Sequence, residues 1–194
     1  MSLPPSLSRL ITAVLVSTLL AACTQSQPTR FYTLFAPTAP ERTIEGEPLT
    51  LGVELVSMPA YLDRPQIVTR LGASRMEVAD FDQWAEPLEI TVQRVLEENL
   101  SRRLESDVVA TVQAPRDLRL DRLIEIEVKR YDANELGEAV LDAGWRLFDD
   151  DGRLLDSGRS TIRQQVAAPG NYEQIAEAMS LCLAGLSDEI AAAI

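Results

Sequence analysis

The chain has 194 residues, 46 % of them hydrophobic, with 18 basic against 30 acidic side chains, no histidine and a net charge of −12. That length fits one substantial core and leaves little room for a second, and the acidic balance opposes nucleic acid and anionic lipid surfaces as partners. The missing histidine removes the commonest general base and transition-metal ligand, and with them most hydrolase and zinc-site readings.

The first element is a leader. Arg9 is followed by an uncharged run over residues 10–20, the layout of a signal peptide and well short of the ~20 apolar residues a membrane-crossing helix needs. It ends in Leu20-Ala21-Ala22-Cys23, which resembles the lipobox of bacterial lipoproteins: a leucine, two small residues, then the cysteine that receives a diacylglycerol. The resemblance implies cleavage after residue 22 and lipidation of Cys23, the one covalent group expected, with no cofactor and no metal. Two or three acyl chains exceed what stable membrane attachment requires. In Gram-negative lipoproteins an aspartate after the cysteine favours inner-membrane retention; Thr24 stands there, which points to the outer membrane, periplasmic face. With Cys23 acylated only Cys182 remains, so no intramolecular disulfide forms, and its place on an apolar helical stripe marks it as a buried small hydrophobe.

Residues 23–30 then read as the lipidated terminus and a flexible tether, and residues 31–194 as a single periplasmic domain. Residues 30–35 and 49–58 read as strands separated by a Pro- and Glu-rich loop, the second ended by Pro59. Residues 66–70 and 75–78 flank Gly72, Ala73 and Ser74 as a hairpin. Pro87 opens a helix over 87–104, with Leu88, Val92, Val95, Leu96, Leu100 and Leu104 on one face. Residues 108–112 read as a strand, and residues 123–131 alternate Ile124, Ile126 and Val128 against Glu125, Glu127 and Lys129 as a half-buried one. Residues 140–148 and 153–166 form a long hairpin turned by Asp149-Asp150-Asp151-Gly152. Asn171 caps a last helix whose stripe runs Ile175, Met179, Cys182, Leu183, Leu186, Ile190. The expected fold class is α+β, a mainly antiparallel sheet with two amphipathic helices packed on one face.

Recognised nucleotide, hydrolase and zinc patterns are missing. The Asp149–Asp151 run does not fit an EF-hand loop, because with Gly152 at its sixth position the loop would begin on Leu147. Neighbouring carboxylates such as Asp80 with Asp82 arise by chance among 30 acidic residues. The expectation is a protein that is not an enzyme.

Two stretches mix aromatic, proline and charged residues: Tyr61-Leu62-Asp63-Arg64-Pro65-Gln66-Ile67-Val68 and Phe81-Asp82-Gln83-Trp84-Ala85-Glu86-Pro87-Leu88. With Phe31-Tyr32-Thr33-Leu34 after the tether, they resemble the PqiC-type auxiliary lipoproteins of ABC transport systems along nearly all of the mature chain. The resemblance implies a non-catalytic outer-membrane subunit of an MCE/ABC-type intermembrane lipid transport system. Its partners would be a periplasm-spanning MCE-domain protein of the PqiB type and an inner-membrane transport component. A homo-oligomeric ring, paired through exposed strand edges, is left open.

In the two stretches, Tyr61 and Trp84 either cover the core edge or contact a partner, and Arg64 pairs with Asp63 or Asp82 or reaches outward. If they contact a partner, Tyr61, Leu62, Arg64 and Trp84 are the candidates, since aromatics and arginine concentrate interface energy. The rival readings are a periplasmic carrier enclosing one acyl chain and an envelope enzyme using carboxylates.

Overall fold

The protein is described by a computed structural model over residues 27–38, 49–104, 107–110 and 118–194. The leader, Cys23, much of the Pro- and Glu-rich loop and residues 111–112 of one expected strand lie outside the described residues. In chain order the elements are β1 (Arg30–Tyr32), β2 (Thr50–Ser57), a 3-10 turn (Ala60–Leu62), β3 (Gln66–Arg70), β4 (Met76–Trp84) and α1 (Leu88–Leu104). Then come β5 (Asp107–Ala110), β6 (Arg122–Asn134), β7 (Glu138–Asp149), β8 (Leu154–Gln165) and α2 (Tyr172–Ala191). Among the described residues no helix is long and apolar enough to cross a membrane.

The expected elements form where local chemistry places them. Helix α1 starts one residue after Pro87, whose carbonyl accepts from the Thr91 N–H at 3.2 Å. The Asn171 side chain caps α2 by accepting from the N–H groups of Glu173 and Gln174 at 3.1 and 3.3 Å. At the β7–β8 turn Asp149 accepts from the N–H groups of Asp151 and Arg153, and Gly152 takes a φ of 76° that a side chain would resist. Two strands differ from expectation. β1 stops at Tyr32, and β4 runs on to Trp84, so Phe81 to Trp84 belong to a strand.

The α+β class holds, but the sheet is mixed rather than mainly antiparallel. β3–β4, β6–β7 and β7–β8 pair antiparallel, whereas β1–β4, β2–β5, β2–β6 and β3–β6 pair parallel. Alternation reveals which side chains point inward but says nothing of strand direction. For β5 the direction comes from α1, which returns the chain to the end where β2 began, so that Asp107 starts level with Thr50 and β5 runs the same way as β2.

β6 is the hub. Along one edge it pairs with β7 almost throughout, and along the other with β2 over Arg122–Glu127 and then with β3 at Ala133 and Asn134. The two helices touch each other and the sheet, and their stripes bury Val92, Leu96, Leu100, Met179, Leu183 and Leu186 against Ile124, Ile126 and Leu141. The wholly buried Tyr131 hydroxyl donates to the Met179 carbonyl at 2.9 Å, and burial holds its pKa well above the ordinary phenol value. Cys182 is fully buried, and desolvation pushes its thiol up to about 12, so it stays a protonated, unreactive packing group.

Trp145 lies under Gly158 of the neighbouring strand and donates from Nε1 to Ser160 Oγ at 3.3 Å. A Cβ on Gly158 would stand 2.5 Å from the indole Cζ2. Gly158→Ala is therefore expected to destabilise the protein by about 1–3 kcal/mol through overpacking, read as a lowered midpoint in urea unfolding with native far-UV circular dichroism retained in buffer.

Candidate functional site

β2 cannot continue along β6, because Pro59 lacks an N–H. The chain turns away through Ala60–Leu62, where the Leu62 N–H donates to the Pro59 carbonyl at 2.9 Å. It rejoins the sheet as β3 further along the same edge, leaving residues 128–132 of β6 without a strand on that edge. The Tyr61 side chain closes this break. Its hydroxyl accepts from the Tyr131 N–H at 3.4 Å and donates to Asp132 Oδ2 at 2.8 Å.

Asp132 has a completely buried side chain and two cationic partners, Arg70 at 2.8 Å and Arg130 at 2.8 Å. Arg70 also holds its guanidinium carbon 6.0 Å from the Tyr61 ring centroid, within range of a cation–π contact. Burial, with the Asp132 charge adding to it, pushes the Tyr61 phenol up to about 12, so the hydroxyl remains a donor at physiological pH.

With Tyr61 held inward, Leu62 and Arg64 face another way, toward the end of β4. There the Trp84 N–H donates to the Pro65 carbonyl at 2.7 Å and the Ala85 N–H to the Tyr32 carbonyl at 2.8 Å. These bonds bring the two aromatic- and proline-rich stretches together as the walls of one open cleft of about 740 Å³. Its floor is apolar, with Leu62, Trp84 and Leu88 buried and Met58 half-buried; Asp63, Arg64, Glu86 and Glu89 form a charged rim, and Ile90 is 57 % exposed beside them.

Of the four residues singled out in the sequence, the fold brings Leu62, Arg64 and Trp84 to the cleft and sends the Tyr61 hydroxyl to the Asp132 cluster. Arg64 is exposed and makes no ion pair with a described residue, because Asp82 is taken. Asp82 is buried and bound by Arg30 at 2.7 Å and by the Tyr32 hydroxyl at 2.7 Å. Desolvation alone would raise the Asp82 carboxyl; the bonds from Arg30 and Tyr32 outweigh it and hold the group below its ordinary value.

Met58, Ile90, Arg70, Arg130 and Asp132 were not singled out. The one cue to Asp132 is that inward alternation fails after Val128, where a bulge shifts the register and leaves Tyr131, Asp132 and Ala133 all buried in succession.

An acidic domain with an open, apolar-floored cleft on an eight-stranded mixed sheet is the class of protein this fold defines. The family model for the ABC-type transport auxiliary lipoprotein component matches residues 32–191. The chain belongs to that family, the PqiC-like auxiliary lipoproteins, which is not a known family of enzymes. Membership makes it a membrane-anchored periplasmic lipoprotein.

Two solved structures share the fold. One, of an uncharacterized protein, has a TM-score of 0.69 at 22 % identity and covers 86 % of this chain and 98 % of its own. The other, a Xanthomonas campestris protein of the family DUF330, has a TM-score of 0.66 at 18 % identity and covers 83 % of this chain and 92 % of its own. No curated protein matches the chain by sequence.

Two consequences are open to measurement. Tyr61→Phe leaves the Tyr131 N–H and Asp132 without their partner in the sheet break and is expected to cost about 1–3 kcal/mol, measured by chemical unfolding. Asp82 has a folded pKa below its unfolded one, so its contribution to stability is complete above the ordinary carboxylate range and is lost as pH falls through the folded value. The stability gap between the protein and Asp82→Asn should therefore be widest near neutral pH and narrow below pH ~4, read by unfolding at a series of pH values.

Proposed function

We propose that the chain is anchored through Cys23 in the outer membrane and that residues 31–194 form a single non-catalytic periplasmic domain. In this reading it docks the periplasm-spanning MCE-domain protein of an intermembrane lipid transport system. The observation that carries it is the convergence of the two stretches bearing the family resemblance on one open cleft. An apolar, largely desolvated floor ringed by charged residues is the anatomy of a protein-binding hot spot. Leu62 and Trp84 would supply the floor, and Arg64, which makes no ion pair with a described residue, the charge that selects a partner. Tyr61 acts one step back, holding the turn that presents Leu62 and Arg64.

The cleft's volume also lies within the range of small-ligand sites, which favours a lipid-carrier role as the second reading. Affinity capture from detergent-solubilised envelopes separates the two, with the acylated protein as bait beside Cys23→Ala and Arg64→Glu. The expected result is recovery of an MCE-domain protein by the native bait and its loss with Arg64→Glu, a change at an exposed site that leaves folding intact. Phospholipid bound to the bait without a protein partner would move the assignment to the carrier, and recovery of neither would sink the cleft as a site.

A further inference from the structure

The long axis of the sheet has two unlike ends, and the tether approaches one of them. β1 runs parallel to β4 with Arg30 beside Asp82, so the chain before Arg30 comes from the end where β4 begins. That near end holds the β3–β4 loop at residues 71–75 and the β6–β7 turn at residues 135–137, joined by the Glu135 N–H donating to the Arg70 carbonyl at 3.0 Å. Residues 167–170 lie beside them, with a Cβ on Gly137 falling 2.9 Å from Pro169 Cγ.

The tips differ in what they expose. Among the described residues exposed at the near tips, residues 72–75, 135–136 and 167–170, the charged ones are Arg75 and Glu135, with Glu77 and Glu173 exposed behind them. Leu136 stands at the turn tip 82 % exposed. At the far end the exposed charges are Arg119 and Arg153 against Asp150 and Asp151, which also cancel, so charge does not separate the tips. Of the large hydrophobic side chains among the described residues Leu136 is the most exposed, and it stands at the end the tether approaches.

Reach points to the same end. Gln66, opposite Gln83, is four residues from Arg70, which sets Arg30 roughly 15 Å from the near tips. β6 has 13 residues, so the two ends are roughly 40 Å apart. Cys23 lies seven residues before Arg30 and can stand at most ~25 Å from it. That clears the near end with length to spare, while the far end could reach the bilayer only if the tether doubled back at full stretch.

We infer that the domain stands on the leaflet holding its own lipid anchor, with the two near-end loops against the phospholipid headgroups and Leu136 inserted among them. The inference rests on the anchor proposed at Cys23. It sets the cleft above the membrane surface and turns the Asp149–Asp151 end toward the periplasm. The competing face is the β1 edge, where Phe31 is 65 % and Phe35 45 % exposed, but Glu173 and Glu177 line the same hollow and disfavour contact with lipid.

The test uses the full acylated chain in vesicles of phosphatidylethanolamine and phosphatidylglycerol. An environment-sensitive fluorophore is placed at L136C, F31C or D150C, and a quencher is carried on the lipid near the headgroup. Cys182 is buried and does not compete for the label, and all three sites are exposed, so folding is preserved. The expected result is a marked loss of fluorescence at position 136, a smaller loss at 31 and none at 150. Unchanged fluorescence at 136 in chains that float with the vesicles overturns the inference, as does stronger quenching at 31 or 150. Flotation and the mass of Cys23 are read separately: chains that neither float nor carry acyl groups bring down the anchor and this orientation together, whereas anchored chains with no signal at 136 bring down the orientation alone.

Discussion

A backbone amide buried inside a protein needs a partner, and the Tyr131 N–H sits where the sheet cannot supply one. β6 gives up β2 before it gains β3, and the break between them falls in the middle of the molecule. The Tyr61 hydroxyl fills it, and that hydroxyl is itself held by Asp132, whose buried charge is held by Arg70 and Arg130. Removing Tyr61 would leave the buried Tyr131 N–H without a partner, and removing both arginines would leave the buried Asp132 charge uncompensated, the costly cases for such networks. The network therefore ties the turn after Pro59 to β3 and β6 in a single arrangement.

The cleft follows from that arrangement. Once Tyr61 points into the sheet break, its neighbours Leu62 and Arg64 are presented on the other side of the turn, against the end of β4 and the start of α1. A second buried carboxylate, Asp82, does comparable work from the opposite wall. It fastens β1 through Arg30 and Tyr32 and so sets Trp84 in register beside Tyr32. Both walls are thus positioned by buried ionic contacts rather than by apolar packing alone. Partial exposure of the arginines, 22 % for Arg70 and 29 % for Arg130, lessens the desolvation these contacts would otherwise incur. A cleft whose walls are fixed in advance loses less entropy on binding than one that must order around its ligand.

Much of the fold can be read along the chain, for a physical reason. Helix and strand periodicities are local, so the stripe of α2, the alternation of residues 123–128 and the turn residues Asp149 and Gly152 announce themselves within a dozen residues. Strand direction does not. Four pairings proved parallel, and which strands lie side by side and in which direction depends on packing over the whole sheet. Likewise β4 extends through Phe81 to Trp84, a segment whose mixture of aromatic, acidic and polar residues reads as a loop until β1 and β3 pair with it on either side.

The amino-acid sequence by itself determined the two helices, the family and the two stretches from which the cleft is made, all of which depend on residues near one another in the chain. Tertiary structure alone decided that the stretches face each other, that Tyr61 turns inward while Leu62 and Arg64 do not, and that Asp132 lies at the centre of a charged network. Tyr61 and Asp132 are separated by 71 residues, and no local pattern encodes such a contact. Only the break between β2 and β3 on the edge of β6 creates the unpaired amide and the space that bring them together.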